Sequence, residues 1–185
     1  MQSYDYAQRR GVRPISWDMF MSLATQLAEG LSRADVDMIV GVARGGLIPA
    51  TAVACALRRE LYPVRLTRRV DDEVHFSTPV WRVPVPSAVA GKSVAVVDEI
   101  ADTGETLALV AHSVREHGAA TVVTACLACH SWANPRPDIA VLVTDELVVF
   151  PWDRRVLIDG RWHMHPELVA ALAAQGNGTL PETDR

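Results

Sequence analysis

The chain has 185 residues, of which 49% are hydrophobic and 22% charged, a balance that excludes a disordered or fibrous protein and allows a sizeable core. Net charge is -4, from 18 basic and 22 acidic residues, which argues against general nucleic-acid binding. Three cysteines (Cys55, Cys126 and Cys129) are too few, and odd in number, for a disulfide framework. No apolar run has the length of a membrane span, and the opening MQSYDYAQRRGVRP lacks the apolar centre of a signal peptide. A cytoplasmic location without membrane partners is expected. Lys92 is the only lysine, so any chemistry that needs one has a single candidate.

The chain reads as one domain over 1–185, with a loose arm at 1–15. Ser16 is placed to cap a helix from about Trp17 to Leu31, whose Phe20, Leu23, Ala24, Leu27 and Leu31 recur on one face. Val36–Val42 (VDMIVGV) is an apolar run broken only by Asp37, the signature of a strand buried on both faces. Gly45-Gly46 then opens a helix to about Arg59, and a short strand follows at Tyr62–Leu66. Residues 68–90 carry Pro79, Pro84, Pro86 and Trp81 and read as a long functional loop or antiparallel flap.

Ser93–Val97 is a second buried strand. Thr106–His117 is a helix ended by Gly118. Strands follow at Thr121–Leu127 and Ile139–Val143, with a short one near Leu147–Phe150. Glu167–Ala174 is a last helix, and 176–185 a frayed tail. Apolar strands alternating with helices indicate an α/β fold with a doubly wound, mostly parallel sheet. Ligands of such sheets bind beyond the carboxyl ends of the strands, so the loops after 36–42 and 93–98 are where chemistry is expected.

The second of these loops is the more informative. Asp98 and Glu99 end the strand, and Ile100-Ala101-Asp102-Thr103-Gly104-Glu105-Thr106 leads into the next helix. Adjacent carboxylates offer only acceptors and suit the two donors of a vicinal diol. Small residues and two threonine hydroxyls before a helix N-terminus suit an anion. A sugar diol beside a phosphate describes a ribose 5-phosphate.

Val94–Leu107 (VAVVDEIADTGETL) resembles the phosphoribosyl pyrophosphate (PRPP) motif of type I phosphoribosyltransferases: apolar strand, two acids, two variable residues, then Asp-Thr-Gly-x-Thr. Val42-Ala43-Arg44-Gly45-Gly46 resembles the pyrophosphate loop of the xanthine/guanine and archaeal hypoxanthine-type purine enzymes. Phe150-Pro151-Trp152-Asp153 is similar to a segment near their base site. The resemblance covers about residues 16–155. It implies an enzyme that joins a nucleobase to PRPP with release of pyrophosphate and uses Mg²⁺, a hard cation suited to oxygen ligands. It also implies a homodimer or homotetramer.

The roles implied are as follows. Asp98 and Glu99 hold the ribose hydroxyls, directly or through the metal. Ala101, Asp102, Thr103, Gly104, Glu105 and Thr106 form the PRPP loop, Thr103 to Thr106 taking the 5-phosphate. Arg44 and Gly45 hold pyrophosphate, as does an arginine near Arg68 and Arg69. Asp102 exchanges a proton with a ring nitrogen of the base. His130, Leu147, Val148 and Asp153 fall at base-pocket positions.

Two of these depart from the family pattern. Alignment on Pro137-Asp138 puts His130 where related purine enzymes have a lysine, and Leu147 where they have a stacking aromatic. Trp132 or Trp152 is the alternative stacking surface. Hypoxanthine or guanine is the expected acceptor. A non-purine acceptor, or a non-catalytic PRPP-sensing regulator of the same fold, stays open, although no helix-turn-helix or basic face accompanies the motif. Cys126-Leu127-Ala128-Cys129-His130 matches a haem-attachment pattern, but residues i and i+3 of a strand point to opposite faces, so buried packing is the better reading. His163 and His165 read as surface residues, and Trp17 and Trp162 as packing residues.

Overall fold

Five consecutive apolar residues, Met38–Val42, form a strand in which every position is buried. Such a run requires cover on both faces, and the rest of the fold supplies it. The computed structural model describes residues 9, 11–67, 69–70, 73–76 and 79–176. In chain order these give β1 (Val12–Pro14), α1 (Trp17–Arg33), β2 (Met38–Val42), α2 (Leu47–Leu57) and β3 (Glu60–Thr67). Next come β4 (Arg69–Val70), β5 (Glu73–Val74), β6 (Val80–Val83) and a 3-10 turn at Ser87–Val89. Then follow β7 (Ser93–Ala101), α3 (Glu105–Glu116), β8 (Thr121–Cys129) and β9 (Ile139–Val143). The chain continues through β10 (Leu147–Val149), β11 (Arg155–Ile158), β12 (Arg161–Met164) and α4 (Pro166–Ala174).

These elements pack as two compact units, a division that the reading of 1–185 as one domain does not include. One unit is residues 23–144; the other combines the N-terminal segment to residue 22 with the chain from residue 145 on. The larger unit holds a six-stranded sheet in the order β6-β3-β2-β7-β8-β9. Its five strands from β3 to β9 run parallel, and β6 pairs antiparallel with β3 at the edge. The doubly wound, mostly parallel α/β sheet is therefore present.

Alternation along β2 shows which helix covers which face. Val40 and Val42 join a core with Leu107, Val110, Ala111 and Val114 of α3. Gly41 points the other way, where a Cβ would lie 2.8 Å from the Ala50 Cβ and 2.9 Å from a Leu47 methyl, both in α2. Successive residues of a strand face opposite sides, so α2 and α3 cover opposite faces. β2 and β7 are neighbours in space but not in sequence, and the chain leaves β2 toward β3 on one side and returns to β7 on the other. That is a topological switch point, where a crevice opens at the carboxyl ends of the strands.

Several boundaries follow the expected physics. The Ser16 hydroxyl accepts from the Met19 N–H at 3.1 Å and caps α1. Gly118, at φ +86°, follows the end of α3. Within the stretch expected as a flap, β4 and β5 pair antiparallel and β6 extends the main sheet. Trp81 of β6 packs against the core. No helix among the described residues is long and apolar enough to cross a membrane.

In the smaller unit β1 pairs parallel with β10, so part of the expected loose arm is a strand. Arg13 fixes this pairing through an ion pair with Glu146 at 2.6 Å. A hairpin, β11–β12, turns at Asp159-Gly160, both with positive φ. Asp-Gly is the residue pair that such a two-residue turn prefers, a signal carried by the sequence itself.

Gly41→Ala tests the close approach of α2 to β2. Overpacking of this kind costs about 1–3 kcal/mol, so the urea midpoint is expected to fall with the m-value unchanged. An unaltered midpoint would show that α2 yields freely.

Candidate active site at the switch point

All described site residues of the first two motifs lie in the larger unit. Val94 to Val97 of β7 are fully buried, which carries the strand through the core and releases Asp98 and Glu99 at its carboxyl end. The neighbouring strand β2 releases Ala43-Arg44-Gly45-Gly46 at the same end, because the two strands are paired in parallel from Met38↔Val94 to Gly41↔Val97. The Leu47 and Ile48 N–H groups, the first donors of α2, bond back to the Arg44 and Gly45 carbonyls, both at 3.1 Å. That tight turn presses the loop toward β7.

The contact between the two motifs is direct. A Cβ added at Gly45 would fall on the Glu99 carboxylate. One at Gly46 would lie 2.6 Å from Asp98 Oδ1 and 2.6 Å from the Val42 carbonyl. Neither glycine has a positive φ; what they supply is space. Asp98 Oδ1 also accepts from the Glu99 N–H at 2.8 Å. Its carboxyl is pushed well above the usual carboxylate range, first by burial and then by the adjacent Glu99 charge. Arg44 is exposed at the mouth of the turn.

The loop expected to hold PRPP, Asp102 to Gly104, precedes α3. Gly104 sits at φ +85° as the N-cap, a conformation that favours glycine. The Thr103 hydroxyl accepts from the Glu105 N–H at 3.4 Å. Thr103, Glu105 and Thr106 are exposed around the helix N-terminus, which leaves donors and a positive dipole end facing solvent. Ala101 is buried and ends β7.

A second loop braces this one along its length. The His130 N–H donates to the Ala101 carbonyl at 3.1 Å, and the Asn134 N–H to the Thr103 carbonyl at 2.8 Å. The Pro135 carbonyl lies against Gly104, where a side chain would collide with it. Asp102 Oδ1 is approached by the Trp132 indole N–H at 3.4 Å and by His130 Nε2 at 3.7 Å. No motif in the sequence marks the bracing by Asn134 and Pro135; Gly46 lies within the Ala-Arg-Gly-Gly motif, but the space it gives Asp98 is visible only in the fold.

His130 is fully buried, which conflicts with its expected contact with a base. Its Nδ1 lies 2.6 Å from the Thr144 carbonyl, and Trp132 stacks on its ring at 4.4 Å between centroids and 19° between planes. Trp132 itself is 44% exposed, so the aromatic face presented to solvent here is the indole. Cys126 and Cys129 are buried beneath the site, and burial pushes the Cys126 thiol far up. They pack as core residues.

The remaining expected residues are placed as follows. Arg68 lies outside the described residues, and Arg69 is in β4. Leu147, Val148 and Asp153 belong to the smaller unit. Leu147 is buried in a cluster with Val149, Leu168, Ala171 and Leu172, so its side chain serves a core and not a pocket; strand alternation turns it inward. Val148 is half-buried, and Asp153 is exposed with its carboxylate 3.9 Å from His165 Nε2. Trp152 stacks on Phe150 at 4.8 Å and meets Phe20 edge-on at 5.2 Å. Trp17 and Trp162, expected as packing residues, are 56% and 60% exposed.

The phosphoribosyl transferase domain matches residues 16–158 of the chain. Over 138 residues the chain is 28% identical to an adenine phosphoribosyltransferase of Petrotoga mobilis, covering 71% of this chain and 80% of that one. Over 161 residues it is 30% identical to a xanthine-guanine phosphoribosyltransferase of Nitratidesulfovibrio vulgaris, covering 80% and 88%. The crystal structure of a purine phosphoribosyltransferase from Pyrococcus horikoshii Ot3 superposes with a TM-score of 0.70 at 34% identity, over 80% of this chain and 98% of that one. Because the match takes in both loops at the switch point and most of the sheet that carries them, the chain belongs to the phosphoribosyl transferase domain family and is a pentosyltransferase.

Proposed function

We propose that the protein transfers the phosphoribosyl group of PRPP to an oxo-purine such as hypoxanthine or guanine in cytoplasmic salvage, releasing pyrophosphate. The observation that carries this is the seating of Asp98 and Glu99 on Gly45-Gly46, which brings a diol-binding pair and a pyrophosphate-type loop to one crevice. Asp98 and Glu99 accept the ribose hydroxyls. The N-terminus of α3, with Thr103 and Thr106, receives the 5-phosphate. Arg44 and the Gly45 backbone receive pyrophosphate, Arg44 by a bidentate contact. Asp102 exchanges a proton with a ring nitrogen of the base, and the exposed Trp132 indole gives the base a stacking surface. Assembly as a homodimer or homotetramer belongs to the same proposal.

Mg²⁺ fits this donor set. Among the described residues no cluster of three or more His, Cys, Asp or Glu side chains is suited to a metal. Two adjacent carboxylates plus substrate oxygens are what magnesium ordinarily uses, and Asp98 and Glu99 repel one another without a cation. When bound, the cation would neutralise the leaving pyrophosphate. The protein side holds the diol, the phosphate and Asp102 in fixed relation.

A second reading concerns the acceptor. Burial of His130 removes a direct donor to a purine oxo group from that position, which favours an acceptor without one, such as adenine or a non-purine. Pyrophosphate release from PRPP and Mg²⁺ across adenine, hypoxanthine, guanine, xanthine and non-purine bases decides between them. Turnover of oxo-purines supports the first reading; turnover of adenine or a non-purine alone supports the second; release with no base at all sinks both.

Two variants test the site itself. PRPP with Mg²⁺ at a hundredfold excess over its dissociation constant adds about 2.7 kcal/mol to stability, visible as a rise in melting temperature. Gly45→Ala forces the Glu99 carboxylate aside and is expected to abolish that rise, whereas an undiminished shift would separate the glycine loop from PRPP binding. Asp102→Asn is expected to keep the shift and lower kcat by roughly a hundredfold or more, the scale of general acid–base catalysis. Full activity in that variant would remove Asp102 from the chemistry.

A further inference from the structure

We infer that His130 is a positioning residue for Asp102, holding its carboxylate from behind while Trp132 closes over the imidazole. This rests on the reading of Asp102 as the group that exchanges a proton with the base. His130 follows the last residue of β8, and its side chain has no solvent exposure. A buried imidazole requires partners at its ring nitrogens. Nδ1 is 2.6 Å from the Thr144 carbonyl. A carbonyl only accepts, so Nδ1 carries a proton. The opposite nitrogen, Nε2, is then directed at Asp102 Oδ1, 3.7 Å away.

A lone pair facing a carboxylate oxygen would be repulsive. An N–H at Nε2, by contrast, is attracted to that oxygen across the 3.7 Å. The Trp132 N–H approaches the same Oδ1 at 3.4 Å while its ring lies flat on His130. Two ring N–H directions thus converge on one carboxylate oxygen. The main chain holds both rings in place: the His130 N–H is bonded to the Ala101 carbonyl, the Ala133 N–H to the His130 carbonyl, and the Asn134 N–H to the Thr103 carbonyl. Asp102 is held by side chains while the residues on either side of it are held by backbone. A lysine at position 130 could not reproduce this, since its donors sit on one nitrogen and not at two fixed ends of a rigid ring.

The test separates the two ends of the imidazole. His130→Asn keeps an amide N–H near the place of Nδ1, for Thr144, and loses reach to Asp102. His130→Gln extends an amide toward the place of Nε2. The expected result is that His130→Asn lowers kcat about tenfold to a hundredfold, the scale of a misplaced reacting group, with the KM for PRPP within about twofold. His130→Gln recovers most of the loss. In an Asp102→Asn background His130→Asn is expected to do nothing further, since residues that act as a unit are non-additive. An unchanged kcat in His130→Asn, or the same further loss with Asp102 already removed, would overturn the proposal.

Nitrogen NMR of the imidazoles at pH 7 covers the case in which a His130 variant does not fold. The Nε2 signal of His130 is expected to change its shift in Asp102→Asn, because Asp102 Oδ1 is the carboxylate oxygen it faces. An identical His130 signal in both proteins would overturn the contact. Failure of the functional reading itself would look different: the wild type would support no base-dependent release of pyrophosphate.

Discussion

The seating of two carboxylates on two glycines is the contact on which the site depends. Asp98 and Glu99 leave the carboxyl end of one parallel strand, and Gly45-Gly46 the end of its neighbour. Any side chain on either glycine would occupy the space the acids need. The cost is electrostatic, since burial and like charge both disfavour ionised Asp98. The proposed ligand, a polyhydroxylated anion that carries a cation, would relieve that cost when bound. Strain of this sort is common where a fold has been shaped around a ligand.

The sheet makes this contact possible. Parallel pairing of β2 with β7 brings residues more than fifty positions apart to the same end. Helices α2 and α3 cover opposite faces, so neither obstructs the crevice between the strand ends. Gly41 belongs to the same arrangement: its missing side chain lets α2 approach β2 closely, and α2 begins directly after the glycine loop. Packing and binding geometry are therefore linked through one short segment, residues 41 to 47.

A second layer of order comes from the loop after β8. It meets the loop before α3 at Ala101, Asp102, Thr103 and Gly104 in turn. Groups that must be placed to within a fraction of an ångström are usually fixed by such support. Burial of His130 under Trp132 makes the support rigid. The histidine faces inward with Nε2 3.7 Å from Asp102, and the tryptophan is 44% exposed.

Much of this was legible in the sequence. Buried strands were readable because an unbroken apolar run has few alternatives. The loop proposed for PRPP stands out in the sequence because acid pair, small residues and hydroxyls sit within nine positions, Asp98 to Thr106. Local spacing fixes local chemistry, and that also identified Ser16 as a cap and Gly118 as a terminator. The roles of His130 and Leu147 were not legible, because alignment gives a position along the chain and not the direction of a side chain. Leu147 turns into a core through strand alternation and a partner strand, β1, that no local pattern announces. His130 is buried by a stacking contact with Trp132 and a hydrogen bond to Thr144, fourteen residues on. Sequence determined which groups exist and which are neighbours along a turn; only tertiary packing decided which faced solvent, because burial depends on partners that the chain brings back from a distance.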